Sequence, residues 1–385
     1  MHPSPALSGP ALPGPALTGP ALTGSAPPSP AAGPAAVGGR PRERQVSSYR
    51  ELSRRVRAAG LLERRRADYW RRIVLTALAW TAVVAAAALL RDSWLVLLAA
   101  GALALVTTQM AFLGHDGAHR QVFASARANE VAGRVFASLM TGLSYGWWTG
   151  KHTRHHQAPN QVGVDGDLDS KALAFTPEAA RARRGPRAWI TRHQGWLFFP
   201  LLLLQGLNLH VDSTRRLLGR RALPRRRVEV ALVAAHWAAA ASLLLLLLPP
   251  GRAAAFAGVH LAVLGVAMGL AFAPNHVGMP VVPRGAKVDF LQRQVLMSRD
   301  VRGGPLVDLA MGGLNYQVEH HLFPSMPRAN LRQAQVLVRA YCAEQGVLYT
   351  ETSVLGAYRA VVGHLHRVGV HAPGTFSCPL ARELR

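Results

Sequence analysis

Long apolar runs broken by short polar turns set the pattern of the central chain. "IVLTALAWTAVVAAAALL" (73–90) and "SWLVLLAAGALALVTTQMAFLG" (93–114) are separated only by Arg91–Asp92. "VEVALVAAHWAAAASLLLLLLPP" (228–250) leads through a Pro-Pro-Gly-Arg turn into "AAAFAGVHLAVLGVAMGLAFA" (253–273). About 20 helical residues, rising about 1.5 Å each, cross a hydrocarbon layer about 30 Å thick. Helices buried in a soluble core would carry a polar stripe, and these carry none. The pattern predicts an all-α integral membrane fold: four transmembrane helices in two hairpins. A fifth run, "GWLFFPLLLLQGLNLHV" (195–211), is shorter and holds a proline, and reads as a re-entrant or interfacial segment.

The flanks change character abruptly. Residues 5–24 are four copies of PALxG, and Pro, Ala and Gly continue to about residue 40. Such a stretch buries no core and reads as disordered, and it lacks the charged start and apolar centre of a signal peptide. Ser48 with Glu51 has the spacing of a capping box opening a basic helix. The expected division is a disordered segment over 1–45, a membrane domain over 46–345 and a cytosolic tail over 346–385.

Charge orients the hairpins. The chain carries 44 Lys and Arg against 20 Asp and Glu, a formal net charge of +24. The turns near 91 and 251 are almost uncharged, whereas the opposite flanks read "RRRADYWRR", "RARRGPR" and "RRLLGRRALPRRR". Positive flanks stay cytoplasmic, so both termini are expected there. Anionic lipid headgroups account for the basic excess without nucleic acid. Only two cysteines occur, Cys342 and Cys378, which supports neither a disulfide framework nor a thiolate metal site. The scarcity of lysine, with abundant Ala, Gly and Pro, points to a GC-rich bacterial genome and hence a bacterial cell membrane.

Candidate chemistry lies in the histidines. "HDGAH" holds His115 and His119, "KHTRHH" holds His152, His155 and His156, "PNHVG" holds His276, and "NYQVEHHLFP" holds His320 and His321. On a helix, i, i+3 and i+4 share a face, so each cluster converges. Gln317 takes part in the last one, where a third histidine would fit. All eight imidazoles fall at the cytosolic ends of the hairpins, forming a histidine-rich helical cap. Eight exceed what one tetrahedral zinc takes and suit two ions with nitrogen-rich shells. The spacing leaves iron, zinc, copper and manganese open. Asp116 and Glu319 stand beside ligands, where carboxylates can fix tautomers. The remaining histidines read as structural: His236 and His260 inside spans, His193, His210, His364, His366 and His371 at the surface or interface.

HDxxH, HxxHH and QxxHH around two membrane hairpins resemble the integral-membrane fatty acid desaturases. The likeness runs from about residue 48 to 340, with "WWTGKHTRHHQAPN" leading into "DGDLD" and with "GGLNYQVEHHLFPSMPR". It implies that His115, His119, His152, His155, His156, His276, His320 and His321 hold two iron ions. It implies a water-mediated role for Asn275, dioxygen as co-substrate, and removal of two hydrogens from an acyl chain to leave a cis double bond. The acyl donor would be an acyl-CoA or a membrane acyl lipid. Trp147 and Trp148 are candidates for its tunnel or for an interfacial anchor. Asp165, Asp167 and Asp169 read as a polar turn or as part of a headgroup or donor site. Gln317 resembles the front-end type, which desaturates between an existing double bond and the carboxyl end. The fused haem domain of many such relatives, marked by His-Pro-Gly-Gly, has no counterpart here, implying a separate ferredoxin or flavoprotein reductase. Competing readings are a diiron hydroxylase or ketolase acting on alkanes, sterols or carotenoids, and a metal-handling membrane protein without catalysis.

Overall fold

The structure, a computed structural model, describes residues 41–370. The PALxG repeats and His2, and the segment holding His371 and Cys378, lie outside the described residues. Helix α1 (Pro41–Ala58) opens on proline, whose fixed φ and missing N–H suit a first helical turn. The capping-box expectation is therefore corrected: Ser48 lies inside the helix, and Glu51 accepts instead from Arg55 Nε one turn on, at 3.0 Å.

The two hairpins form as the apolar runs predict. They are α2 (Arg66–Leu89) with α3 (Val96–Ala118) and, later in the chain, α9 (Arg226–Leu247) with α10 (Pro250–His276). These four helices are long and apolar enough to cross a membrane. α2 and α9 are only 6% buried over their most apolar windows, whereas α3 is 50% buried. The first two thus present lipid-facing surfaces, while α3 packs along α10 at the centre. The hairpin turns meet, with Arg252 Nη1 donating to Arg91 O at 2.6 Å. Ala87, Val96, Leu248 and Phe256 bury a small core beneath that contact. Because the turns share one end, the opposite ends of α3 and α10 also lie together, and there the histidines begin.

Between the hairpins run α4 (Ala126–Arg134), a π-helical turn (Val135–Met140), α5 (Tyr145–Gln157), α6 (Pro177–Arg181), α7 (Gly185–Leu202) and α8 (Gln205–Leu218). The run 195–211 breaks between α7 and α8, just after Pro200, and neither helix is among the four candidate spans. After α10 come α11 (Phe290–Leu296), α12 (Pro305–Ala310), α13 (Gln317–Leu322), α14 (Leu331–Glu344) and α15 (Val354–Val370). The largest core cluster ties α1 to α11, α13 and α14 through Leu52, Val56, Val295, Val318, Leu322 and Val338. Two short strands, Asp300–Arg302 and Glu351–Ser353, pair in parallel.

Residues 351–370, read from sequence as tail, are packed onto this body. Val361 and Leu365 of α15 bury against Phe198 and Leu202 of α7. Two histidines expected at the surface are buried: His210 bonds Gly206 O at 2.8 Å and Thr141 O at 3.0 Å, and His364 bonds Phe175 O at 3.0 Å. Burial is affordable for them because backbone carbonyls satisfy the rings.

α8 crosses α10 at glycines. A methyl built on Gly265 would stand 2.4 Å from Gly206 N and 2.4 Å from Leu202 O, both backbone atoms that cannot step aside. Gly265→Ala should therefore cost at least about 1–3 kcal/mol. The expected observation is a lowered unfolding midpoint of the detergent-purified chain. Gly258→Ala on the same helix, with nothing within 4 Å, serves as the control and should leave the midpoint unlowered.

Candidate metal centre

The spans run further than their apolar residues. α3 continues through the HDGAH segment, placing His115 in its last turn and His119 at its C-cap. α10 carries Asn275 and His276 in its final turn. α5 supplies His152, His155 and His156, and the six-residue α13 supplies Gln317, His320 and His321. All eight histidines predicted from sequence meet at one place.

They divide into two clusters. His115, His119, His152, His156 and His320 bring their ligand atoms within 4.8 Å of one another, and so do His155, His276 and His321. Neighbours in sequence part company: His155 and His156 face different clusters, as do His320 and His321. Consecutive helical residues point about 100° apart, so an HH pair standing between two clusters serves both.

The donor set fits two cations. Across one ion, bonds of about 2.1 Å place imidazole nitrogens up to about 4.2 Å apart. His119 Nε2 lies 2.9 Å from His152 Nε2, His156 Nε2 lies 3.0 Å from His152 Nε2, and His155 Nε2 lies 3.2 Å from His276 Nε2. The buried Nε2 atoms of His115, His320 and His321 have no hydrogen-bond partner among the described residues. Lone pairs so crowded and so unpaired in a buried place call for shared positive charge. Burial holds His119, His152, His156, His320 and His321 well below the ordinary imidazole pKa, in the neutral form that binds metal.

The outward nitrogens are held. His276 Nδ1 faces Met297 O at 2.9 Å, and His321 Nδ1 faces Gln294 Oε1 at 3.0 Å. His155 Nδ1 faces Asp165 Oδ2 at 2.9 Å, and Asp165 also accepts from Asn160 N and Asp167 N at 2.9 Å each. Burial disfavours charge on His155, but the Asp165 bond and the Asp167 charge outweigh it and raise its pKa. The same bond outweighs burial at Asp165, lowering its carboxyl to about 2. Asp165 thus does more than form the expected polar turn. Asp167 pairs with Lys151 at 2.6 Å.

The other expected neighbours fare unequally. Asp116 stands 3.5 Å from His115 Nδ1 and is ion-paired with the buried Arg328. Asn275 Nδ2 donates to Gln317 Oε1 at 3.2 Å, and Gln317 Nε2 lies 2.8 Å from His276 Nε2. Gln317 therefore stands in the three-histidine cluster, against an imidazole. Glu319 is a correction: it turns away from the histidines and accepts from Tyr349 at 2.9 Å, with Asp300 close by on the same hydroxyl. Burial, then Asp300, keeps its carboxyl well above the usual range. Trp148 stacks on His152 at 4.4 Å and approaches His115 at 5.5 Å, while Trp147 donates its backbone N–H to Ser144 Oγ.

A family model described as fatty acid desaturase matches residues 92–353. The chain belongs to the fatty acid desaturase family. That span reaches from the first hairpin turn to the second strand and contains every histidine of both clusters, and the family's metal is iron. Among curated desaturases, the chain is 26% identical over 330 residues to the Delta(8)-fatty-acid desaturase of Helianthus annuus, covering 80% of this chain and 70% of that protein. It is 31% identical over 267 residues to the acyl-lipid (9-3)-desaturase of Physcomitrium patens, covering 67% and 50%. Against the Delta(6)-fatty-acid desaturase of Caenorhabditis elegans it is 26% identical over 345 residues, covering 86% and 76%. The match thus spans between half and three quarters of these relatives' length.

One contact that carries no sequence motif supports this desaturase site from the membrane side. Glu229, in the first turn of α9, is fully buried and accepts from Gly146 N at 2.9 Å and from the hydroxyl of Ser144, the N-cap of α5. Arg134 pairs with it at 3.4 Å. A carboxylate here satisfies orphan amides and complements the positive end of the helix that carries three histidines. Glu229→Ala should cost about 1–3 kcal/mol for each donor left unpaired. The amides at the start of α5 should exchange hydrogen faster than in the unaltered chain, and equal exchange would show the cap to be unimportant.

Proposed function

We propose that the protein is a membrane fatty acyl desaturase. It would introduce a cis double bond into the chain of an acyl-CoA or a membrane acyl lipid. The observation that carries this reading is the pair of facing histidine clusters at the joined ends of two apolar hairpins. An alkyl chain offers no group that an acid, a base or a nucleophile can activate, so its oxidation requires a metal. His115, His119, His152, His156 and His320 would hold one iron, and His155, His276 and His321 the other. Bound there and reduced from outside, two irons would supply the activation of dioxygen needed to remove hydrogen from a methylene.

The chain's own residues do the rest. The lipid-facing hairpins carry the acyl tail to the metal ends without exposing it to water. Trp148, stacked on His152, would wall the reacting segment. Asp165 and the Met297 carbonyl hold His155 and His276 by their outward nitrogens, leaving the other nitrogen of each free to ligate. Gln317 brings an amide where an imidazole would bind more tightly, so an ion held by His155, His276 and His321 would have fewer nitrogen ligands than one in the five-histidine cluster. Relatives named for the Delta(5), Delta(6) and Delta(8) positions support front-end regiochemistry. Electrons would come from a separate ferredoxin or flavoprotein reductase, steered by the basic face. That face and the histidine cap would be cytoplasmic, in a bacterial cell membrane by composition.

Expression in a host of known fatty-acid profile, with a ferredoxin and its reductase, tests the reading. New double bonds on the carboxyl side of existing ones, located by mass spectrometry, are the expected result. Hydroxylated lipids would favour the hydroxylase reading instead. His155→Ala should abolish the product, and unchanged activity in that variant would remove the two-iron assignment.

A further inference from the structure

Gln294 lies outside every histidine motif, on α11, and is completely buried. Its neighbours Leu291 and Val295 belong to the largest core cluster, which also holds Val318 and Leu322 of α13. The side chain is therefore fixed against the helix that carries His320 and His321. Its Nε2 donates to the backbone carbonyl of His156 at 3.0 Å. A carbonyl oxygen only accepts, so the orientation of the amide is decided: Oε1 faces His321 Nδ1 at 3.0 Å and must receive a proton from it. His321 is thereby held as the Nδ1–H tautomer. Its other nitrogen, Nε2, is buried without a partner and carries its lone pair into the three-histidine cluster.

We infer that Gln294 is a positioning residue that sets the tautomer of His321, its amide oriented by the His156 carbonyl. The inference rests on the two-iron reading above. The outward nitrogens of His155 and His276 face other acceptors, Asp165 and Met297 O.

The test is iron stoichiometry and affinity of the full chain purified in detergent, with the unfolding midpoint measured alongside. Gln294→Glu keeps an acceptor for His321 and loses the donor to His156, so the second ion should be retained. Gln294→Met loses both, and affinity for the second ion should fall about 10–100-fold, leaving close to one iron per chain under limiting metal. Recovery in Glu but not Met separates a hydrogen-bonding role from simple filling of space, which Met supplies nearly as well. Two irons bound at unaltered affinity in Gln294→Met would overturn the inference, and so would loss of the second ion in a folded Gln294→Glu. If Gln294→Met does not fold, Gln294→Leu, which likewise offers His321 no acceptor, takes its place in the comparison with Gln294→Glu. An unaltered chain that binds no iron at all would instead overturn the metal-centre reading, and this inference with it.

Discussion

Eight imidazoles directed at two shared points, away from bulk water, govern most of what surrounds them. Each ring has two nitrogens, and burial makes both of them a problem. The inward nitrogens crowd one another at about hydrogen-bond distance, with only the Gln317 amide joining them at His276, and a shared cation would compensate them together. The outward ones need acceptors, and Asp165, Met297 O and Gln294 provide them for the three-histidine cluster. The loop after α5, the end of α11 and the final turns of α3 and α10 are all fixed by these demands.

The membrane architecture supplies the geometry at low entropic cost. α3 and α10 pack against each other with their hairpin turns joined at the far end, so their histidine-bearing ends are registered by rigid elements. Mobile loops would have to be ordered residue by residue to achieve the same placement. Close approach at Gly206 and Gly265 then brings α8 onto α10. Glu229 ties α5 to the start of α9. Every element bearing a candidate ligand is thereby anchored to a span or to the core beneath α13.

The hairpins and the eight histidines were legible in the sequence because both are local signals. Unbroken apolar length marks a span, and the i, i+3, i+4 spacing marks a converging face. The division into five and three was not legible, because it depends on where two clusters stand relative to a helix. Adjacency misled at Glu319: a residue next to a ligand in sequence points about 100° away from it, and here it finds Tyr349 and Asp300 instead. Gln294 and Glu229 left no signal, since their partners lie 27, 83 and 138 residues distant. Nothing local in the sequence of α15 names the element it packs against, so it reads there as tail. That it meets α7 is a tertiary fact.

The shortest element makes the dependence on metal sharpest. α13 has six residues, too few to persist as an isolated helix in water, yet it brings one ligand to each cluster. Val318 and Leu322 anchor its opposite face in the core, both fully buried. Its histidine face is held by Gln294 on one side and otherwise by whatever the imidazoles bind. Ligation at His320 and His321 would therefore also contribute to folding, closing the last turn over two pockets whose other walls belong to α3, α5 and α10. Cations held there as proposed would join α13 to three separately anchored segments, and occupancy of the two pockets would be coupled through the one short helix they share.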